Sequence, residues 1–252
     1  MDSSSGVKEL SKIINETYES FSDFFVRRRK ISFKAVISEI VKTGYEAIPI
    51  VAIISLFVGI IMSLQSAYQL KRVGALIYVA NLVGISITRE LGPILTAILV
   101  SGRSGSSFAA EIGSMKISEE IDALTTMGIN PVRFLIVPKF LALLLMVPAL
   151  TLISDFMGIL GGWLLAVTVL DINAESYYQQ TISAVLLKDI STGLLKSGVF
   201  AVIITLTGCY QGFRVSGGAE EVGRRTTASV VASIFLVIVT DCFFTALFYY
   251  FT

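Results

Sequence analysis

The sequence predicts an all-α integral membrane protein: five transmembrane helices, an N-terminal interfacial amphipathic helix and a cytoplasmic helix between the second and third spans. Three observations lead there. Hydrophobic residues occupy 54% of the 252 positions and charged residues only 15%, a balance foreign to soluble domains. Five runs reach the roughly 20 apolar residues that a helix needs to cross a bilayer. Lys and Arg gather on one side of those runs.

Residues 1–46 form the first segment. Leu10, Ile13, Ile14, Tyr18, Phe21, Phe24 and Phe25 recur at helical spacing, and after "RRRK" (27–30) the pattern resumes at Phe33, Val36, Ile37, Ile40 and Val41. This reads as one or two amphipathic helices in the cytoplasmic leaflet with the basic cluster against anionic head groups; a small soluble helical cap is the alternative. Asp2, Glu9, Glu16 and Glu19, with no short apolar core before a cleavage site, exclude a secretory signal.

The spans follow at about 47–70, 73–102, 140–170, 190–213 and 226–252, making residues 47–252 a five-span domain. The first has no charge; the second contains Arg89 and Glu90, the third Asp155, the fourth Lys196 and the fifth Asp241. Connections on one face carry 15 Lys and Arg against 3 on the other, namely Lys71, Arg72 and Lys188. The positive-inside rule therefore places the N-terminus in the cytoplasm and Thr252 outside.

After the second span comes "GRSGSSFAAEIGSMKISEEIDALTTMGINP". Ser118 reads as an N-cap, Glu119, Glu120 and Asp122 fall in a first turn where the helix dipole favours negative charge, and Gly128 with Pro131 supplies a stop. A short acidic helix is expected at the cytoplasmic surface, either docking a soluble partner or standing alone.

Several function classes drop out. The chain has no histidine, so the serine of "GRSG" (102–105) lacks the base that an intramembrane serine protease uses. Cys209 and Cys242, both in apolar runs, make neither a disulfide framework nor a metal site. The Gly-x-x-x-x-Gly-Lys-Ser/Thr loop is absent, so if ATP drives this protein another subunit binds it. Net charge of +1 gives no case for nucleic acid.

The stretch "RELGPILTAILVSGRSGSSFAAEIGSMKISEEIDALTTMGINPVRFLIVPKF" (89–140) resembles the signature region of MlaE-type permease subunits of phospholipid ABC transporters. "GRRTTASVV" (223–231), Asp241 and "FFTALF" (243–248) are similar to that family's last span, although Arg225 stands where the family usually has a small residue. The resemblance runs from about residue 33 to the end. It implies a homodimer of five-span subunits in the bacterial inner membrane, seated on two ABC ATPase subunits and capped outside by an MCE-domain lipid-binding protein. ATP and Mg would be held by the ATPase, with no cofactor in this chain. It also implies that the helix at about 107–127 couples to the ATPase, with Glu111, Glu119, Glu120 and Asp122 as contact residues.

At 1.5 Å per residue, Glu90 lies roughly 20 Å from Arg103, Asp155 roughly 24 Å from Lys139, and Asp241 roughly 24 Å from Arg225. Each isolated charge at such depth costs at least about 2.5–3.5 kcal/mol, so these groups face protein, one another or a wet cavity. Adjacent helical residues point about 100° apart, so Arg89 and Glu90 are expected to have different partners, with Pro93 bending the helix nearby. One reading has Arg89 and Glu90 bracket an outward-facing cavity for a phospholipid head group, with Met62, Leu70 and Val73 contacting its chains. The other has them bonded to neighbouring helices. Asp155, Lys196 and Asp241 read as structural, with Asp155 and Lys196 one candidate pair. Ala228, Ser229, Ala232 and Ser233 form a small-residue face suited to a dimer contact, and Gly158 with Gly162 a rival face. An ion-coupled secondary transporter of an amphiphile is the alternative function, which five spans without a visible internal repeat fit poorly.

Overall fold

The computed structural model describes residues 33–251. The described elements are all helical, and five helices are long and apolar enough to cross a membrane. In chain order they are α1 (Phe33–Thr43), α2 (Ile48–Leu70), α3 (Leu76–Ile117), α4 (Glu120–Thr126), α5 (Pro131–Thr168), α6 (Ala174–Ala184), α7 (Leu187–Phe213) and α8 (Ala219–Phe251). The amphipathic pattern expected over residues 10–25 and the basic cluster at 27–30 lie outside the described residues.

α1 turns Val36, Glu39 and Thr43 inward and leaves Phe33, Ile37 and Val41 exposed. An inward carboxylate with an apolar outer edge is the pattern of a helix solvated by lipid. The long helices follow the same rule, exposing Ile53, Phe57 and Ile61 on α2, Phe156 on α5, and Val231 and Phe235 on α8.

Lipid tails are as apolar as these side chains, so the helices associate through close approach and hydrogen bonds. The broadest contact, α2 with α5, is built this way. A Cβ on Gly59 would run into the backbone carbonyl of Gly158, and one on Gly161 would run into that of Leu56. Nearby, the Ser55 and Ser154 hydroxyls hydrogen-bond at 2.7 Å. The Gly158 and Gly162 face thus packs within the subunit. We expect Gly59→Leu to destabilise the chain by about 1–3 kcal/mol, the usual overpacking effect, seen as a lower thermal midpoint in detergent; an unchanged midpoint would disprove the close contact.

α3 departs from expectation. Instead of ending near residue 102 it runs 42 residues to Ile117, about 63 Å, twice the roughly 30 Å hydrocarbon core. It stays continuous because two π-helical turns, Ile87–Leu91 and Ser101–Gly105, absorb the residues that read as breaks. Pro93 removes a backbone donor and crowds the carbonyl four residues back, and the chain widens over that turn, with Gly92 N–H donating to Ile87 O. At the second π turn, Ser106 Oγ donates to the Gly102 carbonyl at 2.6 Å, which keeps the Gly-Arg-Ser-Gly stretch helical.

The helix expected at about 107–127 is therefore two pieces. Ser118 does not cap α4: its hydroxyl donates back to Ser114 O at 3.0 Å and closes the end of α3. Glu119, at φ 60°, makes the reversal. α4 then stops at Gly128, at φ 74°, a conformation that glycine adopts without strain. Pro131 is the start of α5 rather than a mere terminator, because Asn130 Oδ1 accepts from Val132 N and Arg133 N at 2.9 and 3.3 Å. α8 likewise begins seven residues before the expected 226, at Ala219.

Two apolar clusters fill the interior. One lies among α2, α3, α5 and α7 and includes Val51, Phe108, Leu143, Leu150 and Phe200; Cys209 is buried in it, whereas Cys242 is exposed. The other, around Val79, Val83, Ile87 and Tyr177, ties α6 to the ends of α2, α3 and α5 that lie away from the Lys- and Arg-rich face.

Candidate functional site: a membrane-embedded charge network

Lys196 is 1% exposed at the centre of the first polar group. α7 carries it, and its Nζ lies 2.5 Å from Glu90 Oε2 on α3 and 2.9 Å from both Asp241 Oδ1 and Thr245 Oγ1 on α8. Thr245 Oγ1 is also 3.1 and 3.2 Å from the two Glu90 oxygens. One ammonium thus holds two carboxyl groups and joins three helices. In a low-dielectric interior such a partnership replaces the hydration that each ion has lost.

Arg89, the next residue, turns elsewhere. Its Nε is 3.7 Å from Asp189 Oδ1, and Asp189 Oδ2 accepts from Leu186 N at 3.0 Å at the start of α7. The adjacent charges therefore have different partners, and the π turn sets the angle between them. Lys196 and Asp241 are closed in, with side chains 1% and 11% exposed, whereas those of Glu90 and Arg89 are 32% and 35% exposed. The network has a sealed cation, Lys196, and an open edge that carries one group of each sign, Glu90 and Arg89.

Asp155 does not pair with Lys196. Its carboxylate packs so closely on Gly92 that a Cβ there would collide with it; the side chain is buried, and Oδ1 has no hydrogen-bond partner. Lys196 is already satisfied by two nearer acids. Met62 and Leu70 pack partly buried against the cluster containing Ile87, beside the π turn, while Val73 is 73% exposed in the turn after α2. The structure does not gather these three around Arg89 and Glu90.

The small-residue face of α8 turns inward. Ser229 and Ser233 are fully buried, and Ser229 Oγ donates to Gly105 O at 3.4 Å. With Val237 and Asp241 they form the stripe that packs on α3 and α7. Ser229 and Ser233 therefore serve a contact within the subunit, because their size lets α8 approach the second π turn. Ala228 and Ala232 are half-buried beside them.

A second polar group sits toward the Lys- and Arg-rich face. Lys139 on α5 is 2% exposed and bonds Glu39 Oε1 on α1 at 3.0 Å and Glu111 Oε2 on α3 at 2.9 Å, with Nζ 4.9 Å from the Phe108 ring. Glu111 thus pairs with Lys139 through one oxygen while its side chain stays 39% exposed. Arg103 bonds Glu46 at 2.5 Å across the turn before α2. Sequence reading missed Glu39 and Glu46 because each looks like an ordinary polar position; a carboxylate on the apolar side of an amphipathic helix was the available signal for Glu39.

Glu119, Glu120 and Asp122 are exposed together at α4, flanked by exposed Ile117 and Met127.

Comparison with known proteins agrees with this architecture. The family model described as Permease MlaE matches residues 36–247. A probable ABC transporter permease protein of Rickettsia bellii is 38% identical over 222 residues, covering 88% of this chain and 86% of that one. A similar protein of Synechocystis is 36% identical over 85% of this chain and 81% of its own length. The chloroplastic protein TRIGALACTOSYLDIACYLGLYCEROL 1 of Arabidopsis thaliana is 32% identical over 89% of this chain and 64% of its own. With a match that runs from α1 nearly to the end of α8, the chain belongs to the MlaE permease family of multi-pass ABC transporter membrane proteins.

Proposed function

We propose that this chain is the membrane subunit of an ATP-driven phospholipid transporter of the bacterial inner membrane, with its N-terminus cytoplasmic. It works as a homodimer with an ABC ATPase on the cytoplasmic side and an MCE-domain lipid-binding protein outside. The observation that carries the reading is the Lys196 group, a buried cation whose partner Glu90 is partly open beside the equally open Arg89, set within apolar helices. Such an edge can meet the charged end of an amphiphile while the surrounding helices accept its chains. The Arabidopsis relative is named for a galactolipid, which supports an amphiphilic lipid as cargo.

The α4 acids support an ATPase partner on that face. Replacing Glu119, Glu120 and Asp122 together with alanine is expected to uncouple the complex, lowering lipid-dependent ATP hydrolysis at least tenfold; unchanged hydrolysis by an intact complex would refute the coupling role. Purification from the native membrane followed by mass spectrometry tests the class itself. An ATPase and bound phospholipid should accompany the chain, and the presence of neither would return the choice to an ion-coupled transporter.

A further inference from the structure

A cavity of about 310 Å³ opens between α5 and α6, away from the charge network. Its walls include Phe156, Leu160 and Trp163 from α5 and Tyr177, Thr181 and Ile182 from α6. Tyr177 and Thr181 are buried and form the floor, while Phe156 and Ile182 are 64% and 56% exposed at the lip. The charge network, by contrast, is built from α3, α7 and α8.

Position and size together select an occupant. Phe156 and Trp163 lie roughly 18 and 7.5 Å along α5 from its Thr168 end, the end away from the Lys- and Arg-rich face, so the groove runs along the bilayer normal within one leaflet. Trp163 Nε1 donates to Ala174 O at 3.4 Å and closes the end nearest the interface, the level where tryptophan ordinarily anchors. A single file of methylenes fits a groove of this size. The lining is apolar, so nothing there prefers a head group.

We propose that the α5–α6 groove is a binding site for one acyl chain of a bilayer phospholipid, separate from the transport path, wedging α6 against α5. It does not depend on what the protein transports.

Trp163 is the sole tryptophan, so it reports on its own groove. The full-length chain in detergent micelles is titrated with phosphatidylcholine brominated on one acyl chain. Fluorescence should fall to a plateau near one lipid per chain, and unbrominated phosphatidylcholine should restore it. Leu160→Phe and Ile182→Phe, which fill the groove, should each raise the half-quenching concentration at least tenfold, while Leu152→Phe, on an exposed part of α5 outside the groove, should not move it. Quenching that tracks lipid mole fraction without a plateau would overturn the proposal. So would a plateau that neither filling variant shifts, or displacement by a spanning Leu/Ala peptide or by self-association of the chain when plain phosphatidylcholine fails.

Discussion

Lys196→Met should lower the stability of the chain by about 3–5 kcal/mol, the range for stripping one partner from a buried ion pair. Glu90 and Asp241 would be left facing each other across Thr245 with no cation between them. Adding Glu90→Gln and Asp241→Asn to Lys196→Met should recover most of that loss, because the triple variant buries no unpaired charge. Glu90→Leu alone should be milder, since Asp241 still neutralises Lys196. Thermal unfolding in detergent, read for all four proteins, checks the order; a Lys196→Met protein as stable as the parent would show that the three groups do not share a charge.

The second large effect is expected at Lys139. This buried ammonium bonds Glu39 on α1 and Glu111 on α3 from its place on α5, and so joins the three helices. Lys139→Met leaves Glu39, whose side chain is 12% exposed, without its cation, and should again cost about 3–5 kcal/mol. Its distinctive signature is local. Hydrogen exchange over Phe33–Thr43 should accelerate more than over α7, because α1 loses its polar anchor to α5. Combining Lys139→Met with Glu39→Gln and Glu111→Gln should restore protection, and uniform exchange across all helices in the single variant would contradict the anchoring role.

Much of this fold is legible from residues alone. Apolar runs of spanning length are unambiguous because the hydrocarbon core imposes a minimum, and charges set inside them announce interior partners. Adjacent residues on a helix diverge, so separate partners for Arg89 and Glu90 followed from geometry. What escaped was set by three-dimensional placement. The continuity of α3 depends on π turns at Ile87–Leu91 and Ser101–Gly105, which leave no periodic mark, and a glycine-rich stretch reads as a break. Which acid Lys196 takes depends on helix rotation: Glu90 and Asp241 face it, whereas Asp155 faces Gly92. Ser229 and Ser233 look the same in sequence whether they let a helix approach its own subunit or another, and here they meet Gly105. Glu111 sits within an acidic stretch that suggests a partner surface, yet its neighbour in space is Lys139.

The central claim is that the Lys196 group borders the path of an amphiphile while the engine that moves it is a separate polypeptide. It is tested most directly by ATP-dependent phospholipid transfer in proteoliposomes that hold the chain with an ABC ATPase and the proposed MCE-domain partner. With Glu90→Leu, complex assembly and basal ATP hydrolysis should stay near the parent level while lipid transfer falls at least tenfold. Transfer at the parental rate would contradict the account.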